Sequence, residues 1–593
     1  MFAGLQEGFV SLLAGANNSI DSSLISETQY AKGRNISSRG GLIKSRSPFD
    51  DACSLANAGK WQGGGLYRLN GTDRFVYVID GVVSSVNIST SAITTHYTFS
   101  NTDFEVAYMC QSDKYFIVQN GLDEPIVLDM DLSAPNIADQ SALEEQEQFR
   151  RGKVMAYGHG RTFVAVNRVW NRLVTTETTD GEWADDLGYS QFCASDNIQS
   201  EPNTTYSNIT FNQDTIIDGG GAMKPMNEMG FIHGMSFLRN AQTGTGIGSL
   251  VVFCKDGTTG YQIDLPRSSW TDAGTQIGQT LFFGTGTGTM SPRSIVNVND
   301  DLVYRSLDGI RTIRYSGSSM ASTSGSLSCL PLSTEVNHLL ALDTLSDLPM
   351  ASSVFIDNRL YVTTGGRDAE TGAFKCLAVL DTANVSALGK ASAMSWDGCW
   401  TGEGYLEVFK SFYDDRECLY AVVSVDGGIR MQRLSTNAGC LTDPSMLFTR
   451  TYGFMTEGVS NIFSAKEFRG CELWLKNITT DISLTMYYRA DGYELWSKCE
   501  TVNIEVGEGG ELAQNRYRVV LFPAVEGCSQ IDGRLSTVGS AIQFCFQWTG
   551  SMTIQRCKLG ANAVEEQGNY ICNNESVTTI SATDSQVELY DYK

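Results

Sequence analysis

The chain has 593 residues, of which 42% are hydrophobic and 19% are charged, and its formal net charge is −24. This length predicts more than one domain, and the hydrophobic fraction is sufficient for large cores. The acidic balance excludes a protein that grips nucleic-acid phosphates through clustered Lys and Arg side chains. The 15 cysteines are spread singly without a Cys-x-x-Cys pair, which predicts reduced thiols packed in the core of a cytosolic product.

Residues 1–58 are predicted to form an N-terminal arm, because they are polar and show no regular apolar period. The opening residues have no basic region, so no signal peptide is expected, and no apolar run is long enough to predict a membrane anchor. We predict that a basic cluster docks this arm, either on its own chain or a neighbouring subunit, or on an acidic partner or DNA. The cluster consists of Lys32, Arg34, Arg39, Lys44 and Arg46.

Residues 59–445 repeat one pattern, in which two short apolar runs flank Asp-Gly or Asp-Asn. Both turn residues tolerate positive φ, so each repeat predicts a β-hairpin. Hairpins at intervals of about 40 to 60 residues predict an all-β fold with a β-propeller of about six or seven blades. Residues 133–151 and 183–228 interrupt the pattern and are predicted to be insertions that form loops on one face. The hairpin pattern is clearest in residues 75–83, 250–257, 302–310, 354–362 and 419–427.

The pattern changes after the propeller region. Residues 446–562 contain strands in which polar and apolar residues alternate, as in residues 482–496 and 541–548. Short strands that follow one another over about 100 residues predict a compact β-sandwich. Residues 563–593 are rich in Asn, Glu, Ser and Thr and are predicted to form a C-terminal tail, which would lie on a neighbouring molecule if it were ordered.

The chain lacks the residue patterns of common catalytic, metal and cofactor sites. Its four histidines have no metal-binding spacing, and no serine lies in a Gly-x-Ser-x-Gly motif. A glycine run lacks the Gly-Lys-Ser/Thr ending of a phosphate loop and predicts a flexible loop instead. We therefore predict that the protein is not an enzyme and binds no cofactor and no metal. The glycine run contains Gly284, Gly286 and Gly288.

Several motifs, taken in order, resemble the tail nozzle proteins of short-tailed bacteriophages, also called tail tubular or packaged-DNA stabilisation proteins. The first is the arm that ends in Lys44-Ser-Arg-Ser-Pro48, and the second is the strand at residues 160–166 followed by Trp170 and an Asp-rich loop. The third is the succession of Ser291-Pro-Arg-Ser-Ile295 and Asp308-Gly-Ile-Arg311. The C-terminal Tyr487-Tyr-Arg-Ala-Asp-Gly492 also fits. The resemblance covers most of the chain and depends on the order of these motifs.

The resemblance implies a structural virion protein that assembles in the host cytoplasm as a homohexamer and forms the tail nozzle. Such a ring continues the portal–adaptor channel, retains packaged DNA and gates its ejection. The implied partners are further copies of the chain, the head-to-tail adaptor, tail fibres or spikes, and double-stranded DNA. The acidic charge suits a wall past which DNA slides, and the low charged fraction suits large subunit interfaces. We predict that residues 183–228 and the glycine run close the channel.

Two other functions are compatible with a propeller. A sugar- or receptor-binding propeller of a tail fibre would expose several tryptophans beside Asp or Asn on one face. A propeller glycosidase would need two converging carboxylates, although the available aspartates lie near predicted turns. The tryptophans are Trp170, Trp183, Trp396 and Trp400, and the aspartates are Asp264, Asp301, Asp357 and Asp381.

Overall fold

The computed structural model describes most of the chain. The described residues are 5–10, 15–26, 28–129, 136–137, 148–166, 168–171, 182–185, 191–198, 209–211, 223, 225, 227–239, 247–261, 263, 279–282, 287–298, 301–313, 331–383, 394–436, 439, 441, 443–452, 466–490, 496–506, 516–521, 530–531, 534–535, 538–539, 541–563 and 586–587. The predicted insertions and tail lie largely outside these residues.

The described residues form an all-β fold. The N-terminal strands are β1 (Leu5–Val10), β2 (Lys32–Arg34), β3 (Ile36–Ser37), β4 (Ile43–Ser45) and β5 (Phe49–Ala56). The central strands are β6 (Trp61–Leu69), β7 (Thr72–Ile79), β8 (Val82–Asn87), β9 (Ile93–Thr98), β10 (Tyr108–Ser112), β11 (Tyr115–Gln119), β12 (Ile126–Asp129), β13 (Asn136–Ile137), β14 (Gly152–Gly158), β15 (Arg161–Val166), β16 (Arg168–Asn171), β17 (Glu182–Asp185), β18 (Gln191–Ala194), β19 (Ile232–Arg239), β20 (Ile247–Cys254), β21 (Thr258–Tyr261), β22 (Gln279–Phe282), β23 (Val296–Val298), β24 (Asp301–Ser306), β25 (Gly309–Thr312), β26 (Ser353–Ile356), β27 (Arg359–Arg367), β28 (Phe374–Asp381), β29 (Ser395–Tyr413), β30 (Arg416–Val425) and β31 (Gly428–Leu434).

The C-terminal strands are β32 (Ser445–Phe448), β33 (Lys466–Lys476), β34 (Ile482–Ala490), β35 (Trp496–Ile504), β36 (Arg516–Leu521), β37 (Gln530–Ile531), β38 (Arg534–Leu535), β39 (Val538–Gly539), β40 (Ile542–Thr549), β41 (Thr553–Ala563) and β42 (Gln586–Val587). Helical segments among the described residues are short. They are the 3-10 turns Asn227–Met229, Pro292–Ser294, Thr334–Val336 and Leu348–Met350, and the α-helix Asn337–Leu340.

Tight turns close the predicted hairpins as their residues require. Asp80–Gly81 joins β7 to β8, Asp357–Asn358 joins β26 to β27, and Asp426–Gly427 joins β30 to β31. Both residues of each turn have positive φ, for example 48° at Asp80 and 74° at Gly81. Two consecutive residues with positive φ match the twist of the flanking strands, which is why Asp, Asn and Gly occupy these turns. The hairpin predictions at these positions are confirmed.

The central strands form antiparallel groups that follow one another in chain order. Five are separate small sheets: β6–β9, β10–β13, β14 with β15 and β18, β19–β22, and β23–β25. The groups β26–β29, and β29–β31 with β5, follow within one larger sheet. Neighbouring sheets contact each other in order through the strand pairs β6–β10, β10–β14, β14–β19, β19–β24, β23–β26 and β26–β29. Strand β29 then contacts β6 and closes the circuit. This circuit of small sheets is the organisation of a β-propeller.

Apolar cores lie between neighbouring sheets of the circuit. Val76 and Val78 of the first sheet pack in one cluster with Phe116 and Val118 of the second. At the closing junction, Phe75 of the first sheet stacks on Phe409 of β29 with ring centroids 4.0 Å apart. Burial of such aromatic faces supplies most of the favourable free energy that holds the sheets together.

The N-terminal arm connects the circuit to the C-terminal strands. Strand β2 pairs in parallel with β29 and antiparallel with β32, so one continuous sheet runs from β26 to the C-terminal strands β40, β34 and β35. The β3–β4 hairpin pairs with β41, and β5 completes the last sheet of the circuit beside β31. The arm therefore binds strands that are distant from it in the chain: Tyr30, for example, bonds the Asp397 carbonyl of β29, more than 350 positions later.

The C-terminal strands lie in two sheets that share an apolar core. Strands β33, β36 and β41 belong to one sheet, and β34, β35 and β40 belong to the other. Leu473 and Ile554 of the first sheet pack in the same cluster as Leu484 and Phe546 of the second. Within the predicted tail, β42 pairs with β35. None of the described cysteines is in a disulfide.

Candidate functional site

An arginine connects elements from separate sheets of the circuit. Arg293 lies in the turn Pro292–Ser294, which contacts β19, β24 and β26, and its side chain reaches β29 and β6. Its Nη1 donates to Glu407 Oε2 over 2.8 Å, and the Gly64 N–H donates to the same oxygen over 2.9 Å. The Glu407 carboxylate on β29 is therefore bound both by this turn and by β6.

The ion pair of Arg293 with Glu407 is buried. The Glu407 side chain is 6% exposed and that of Arg293 is 14% exposed. Burial raises the pKa of the Glu407 carboxyl, and the Arg293 charge together with the Gly64 N–H offsets part of that rise. A Cβ atom at Gly63 would lie 2.3 Å from Arg293 Nη1, so a larger residue at this position would displace the guanidinium from Glu407. The buried pair therefore fixes the relative positions of the turn, β6 and β29.

The arm is anchored by Arg39. Its Nε donates to Asp381 Oδ2 over 2.6 Å, and its other nitrogens bond Asp357 in the turn between β26 and β27. Arg359 also donates to Asp381, over 3.2 Å. Burial acts to raise the pKa of Asp381, but the hydrogen bond from Arg39 and the nearby guanidinium charges bring it below its ordinary value. The carboxylate is therefore ionised and clamped between two arginines.

A second carboxylate, Asp397 on β29, holds the turn that follows β3. It is completely buried and accepts hydrogen bonds from the N–H and the hydroxyl of Ser38 over 2.9 and 2.8 Å. Arg359 lies 3.7 Å from its other oxygen. Burial raises the pKa of Asp397, and the Arg359 charge opposes this. Asp397 thus links the arm to the same arginine that binds Asp381.

Arg34 and Arg46 fix the arm to β29 at Trp400 and Thr401. Arg34 donates to Asp443 Oδ2 over 3.1 Å and to Thr401 Oγ1 over 3.2 Å. Arg46 donates to Asn35 Oδ1 over 2.9 Å, and its guanidinium lies over the Trp400 ring at 5.6 Å. Burial lowers the pKa of Arg46, although a guanidinium remains protonated at any physiological pH.

The two lysines of the predicted docking cluster lie beside these arginines. Lys32 pairs with Phe448 in the register of β2 and β32. Lys44 is half-buried, and burial followed by the charges of Arg359 and Arg39 lowers its pKa. The structure thus places all five residues of the cluster at one junction, and the three arginines bind groups of their own chain. Docking of the cluster on a partner stays a prediction.

A cavity of about 410 Å³ opens beside this junction. Its lining includes Arg34, Cys376, Thr401 and Asp443. Arg34 and Asp443 are paired with each other, so the cavity contributes no unpaired charge from these two groups. The described residues contain no group of three or more His, Cys, Asp or Glu side chains placed to hold a metal ion.

Gly288, at the end of the glycine run, is buried and fixed. Its N–H donates to the Lys255 carbonyl over 3.1 Å, and the next N–H, that of Thr289, donates to the Cys254 carbonyl over 3.0 Å. A Cβ at Gly288 would lie 1.6 Å from the Cys254 carbonyl oxygen. Gly284 and Gly286 lie outside the described residues. If this run acts as a gate, the residues that move must therefore precede Gly288 in the chain.

The residues singled out for the two alternative functions have structural roles where they are described. Trp396 and Trp400 are each 1% exposed, and their indole N–H groups donate to the carbonyls of Leu332 and Ile36. Trp170 and Trp183 are paired positions in the register of β16 and β17. Asp357 and Asp381 bind Arg39, and Asp264 lies outside the described residues.

The sequence did not indicate the acidic partners of the arm. Arg39 and Asp381 are 342 positions apart, and Arg34 and Asp443 are 409 positions apart. The local excess of basic residues indicated that the arm needs carboxylate partners. No local pattern, however, distinguishes Asp381, Asp397 or Asp443 among the 67 acidic residues of the chain. Arg293 lies in the Ser291–Ile295 motif of the resemblance, but nothing in the sequence indicated its pairing with Glu407.

Comparisons with known proteins give likenesses of fold only. No family model matches the chain, and no curated protein matches it significantly. A solved extracellular domain of a putative one-component system from B. thetaiotaomicron has a TM-score of 0.34 at 10% identity, over 80% of this chain and 47% of that one. The chain thus spans about half the length of that structure.

Two further solved structures are similar to parts of the chain. One is a chain of the Mitotic Checkpoint Complex, with a TM-score of 0.32 at 8% identity over 66% of this chain and 94% of that one. The other is the Cps50 (Swd1) β-propeller domain of Myceliophteria thermophila, with a TM-score of 0.32 at 12% identity over 65% of this chain and 100% of that one. Within the described residues, no helix is long and apolar enough to span a membrane.

Proposed function

We propose that this protein is a structural subunit of the tail nozzle of a short-tailed bacteriophage. Copies form a homohexameric ring that continues the portal–adaptor channel, retains packaged DNA and gates its ejection. The partners are the adaptor above, fibres or spikes at the side, and the DNA in the channel. The protein has no catalytic role, is assembled in the host cytoplasm and resides in the virion tail.

The finer architecture in this proposal is a seven-bladed propeller followed by a β-sandwich. The closed circuit of sheets, with an apolar core between neighbours, supports seven blades. The core that β33 and β41 share with β34 and β40 supports the sandwich. In domain terms, the arm is residues 1–58, the propeller 59–445, the sandwich 446–562 and the tail 563–593.

The observation that carries the proposal is the continuous sheet in which β2 joins the propeller strand β29 to the sandwich strand β32. Ion pairs of Arg34 and Arg39 reinforce both sides of this junction. Hydrogen-bonded strands and buried charge pairs resist relative movement of the two units. A rigid subunit of this kind suits a ring that must withstand the pressure of packaged DNA.

In this proposal the DNA channel lies between copies, in a space that several subunits enclose. A closed ring requires contacts between different faces of neighbouring copies. The net charge of −24 would limit adhesion of DNA phosphates to the channel wall.

The experiment that tests this function uses DNA-filled heads that carry portal and adaptor but lack the nozzle. The purified protein is added, and the DNA that becomes accessible to nuclease is measured over time. We expect the protein to bind the adaptor end and to slow DNA leakage at least tenfold, while an equal mass of serum albumin has no effect. Unchanged leakage with the protein bound at the adaptor would refute DNA retention, and failure to bind would refute the nozzle.

A further inference from the structure

Two buried thiols of the C-terminal unit lie in contact. Cys471 on β33 and Cys557 on β41 have their Sγ atoms 3.5 Å apart, and their side chains are 1% and 2% exposed. In the register of these strands, Cys471 is paired with Leu559, and Cys557 is paired with Leu473. Each cysteine is thus two positions away from the partner of the other, so the two are diagonal neighbours. Diagonal neighbours across an antiparallel pair are within reach of each other's side chains.

The strands are irregular on both sides of the cysteine pair. The register of β33 and β41 shifts between Phe468 and Gly470 and again between Trp474 and Leu475. Such bulges disrupt the regular hydrogen-bond ladder locally and increase the twist of the strands. The remaining distance between the two sulfurs is short enough for a modest backbone adjustment to close it.

We propose that Cys471 and Cys557 are a disulfide-forming pair, reduced when the protein is made and oxidised after it leaves a reducing compartment. The bond would tie β33 to β41 and enclose the 86-position chain segment between the two residues. A cross-link across a segment of this length restricts the unfolded chain and so stabilises the folded unit. The pairing follows from the geometry alone; only the biological occasion, release of virions from the cytosol, rests on the proposed function.

The oxidation balances with a small disulfide such as oxidised glutathione as the oxidant. One cysteine loses its proton to solvent, and its thiolate attacks a sulfur of the small disulfide, whose S–S bond breaks and releases one small thiol. The second cysteine then loses its proton and attacks the mixed disulfide, which forms the protein S–S bond and releases the second small thiol. Two protein thiols thus give two electrons to one small disulfide.

The surroundings determine the rate and the competing product. Burial, and then the neighbouring Cys557 thiol, raise the pKa of the Cys471 thiol well above its usual range. Because the thiolate is the attacking species, oxidation is expected to be slow at neutral pH and faster in alkaline buffer. Cys499, which is 2% exposed, lies close enough to interact with Cys471 and is the alternative partner.

The test uses the reduced full-length protein, incubated with oxidised glutathione at alkaline pH, then denatured, alkylated and digested. We expect two fewer alkylated cysteines in this unit and a reductant-sensitive peptide that joins Cys471 to Cys557. The melting temperature should rise on oxidation and return with dithiothreitol. Cys557→Ala should lose both effects, while Cys376→Ala, which removes a thiol beside Cys399 in the propeller, should retain them.

Two results would overturn the proposal. One is full alkylation of Cys471 and Cys557 after prolonged oxidation, even in urea concentrations that loosen the sheet without unfolding the chain. The other is a cross-linked peptide that joins Cys471 to Cys499. If Cys557→Ala fails to fold, peptide mapping of the unmodified chain alone distinguishes these outcomes.

Discussion

Arg39 Nε lies 2.6 Å from Asp381 Oδ2, although 342 positions separate the two residues in the chain. The Asp381 side chain is inaccessible to solvent, while that of Arg39 is 23% exposed. This contact fastens the N-terminal arm to the end of β28, and it determines how the arm responds to mutation and to acid.

Arg39→Ala should loosen the arm. The change leaves the buried Asp381 carboxylate with Arg359 alone, so we expect a loss of about 2 to 4 kcal/mol in the free energy of unfolding. Urea unfolding measures this loss, and limited proteolysis should show earlier cleavage within the arm. Arg416→Ala, which removes an exposed arginine at the start of β30, is the control and should change the stability little. Equal effects of the two substitutions would contradict the anchoring role.

Asp381 should make the arm sensitive to acid. Its folded-state pKa is below its ordinary value because of the arginines, so the stabilisation is present above the unfolded-state pKa and is lost as the pH falls through the folded-state value. We expect Asp381→Asn to be less stable than the unmodified protein at pH 7, and the difference to shrink below about pH 4. Urea midpoints at a series of pH values measure this, and a difference independent of pH would exclude the linkage.

Arg293→Met should destabilise the junction of the Pro292–Ser294 turn with β29. Glu407 would remain buried without its cation, and breaking such a pair costs about 3 to 5 kcal/mol. Adding Glu407→Gln should recover part of the loss, because the second change removes the unpaired charge. A double-mutant cycle on urea unfolding gives the coupling energy. Additive effects of the two changes would show that the residues do not interact.

Gly288→Ala should be strongly destabilising. The added Cβ would lie 1.6 Å from the Cys254 carbonyl oxygen, so the backbone must move, and we expect a loss of more than about 3 kcal/mol. Gly257→Ala is a matched control, because its nearest neighbour is the flexible Met229 side chain at 3.1 Å. Thermal unfolding of both variants checks the expectation, and similar melting temperatures would mean that the Gly288 segment can move.

The sequence predicted the local features of the fold and missed the long-range ones. Asp80–Gly81 and Asp426–Gly427 were recognisable as hairpin turns because their conformation depends only on these residues and their immediate flanks. Arg39 was recognisable as a docking residue because it is basic in an acidic chain. Its partner Asp381 was not, because the pairing depends on how β2 enters between β29 and β32, which no local pattern encodes.

The central claim is that copies of the chain form a ring with the DNA channel between them. The most direct measurement is light scattering of the untagged protein, alone and with a portal–adaptor complex, followed by negative-stain imaging. The account predicts a ring of about six copies with an open axial channel, at least when the complex is present. A 64.7 kDa monomer that remains alone in the presence of that complex would contradict the account.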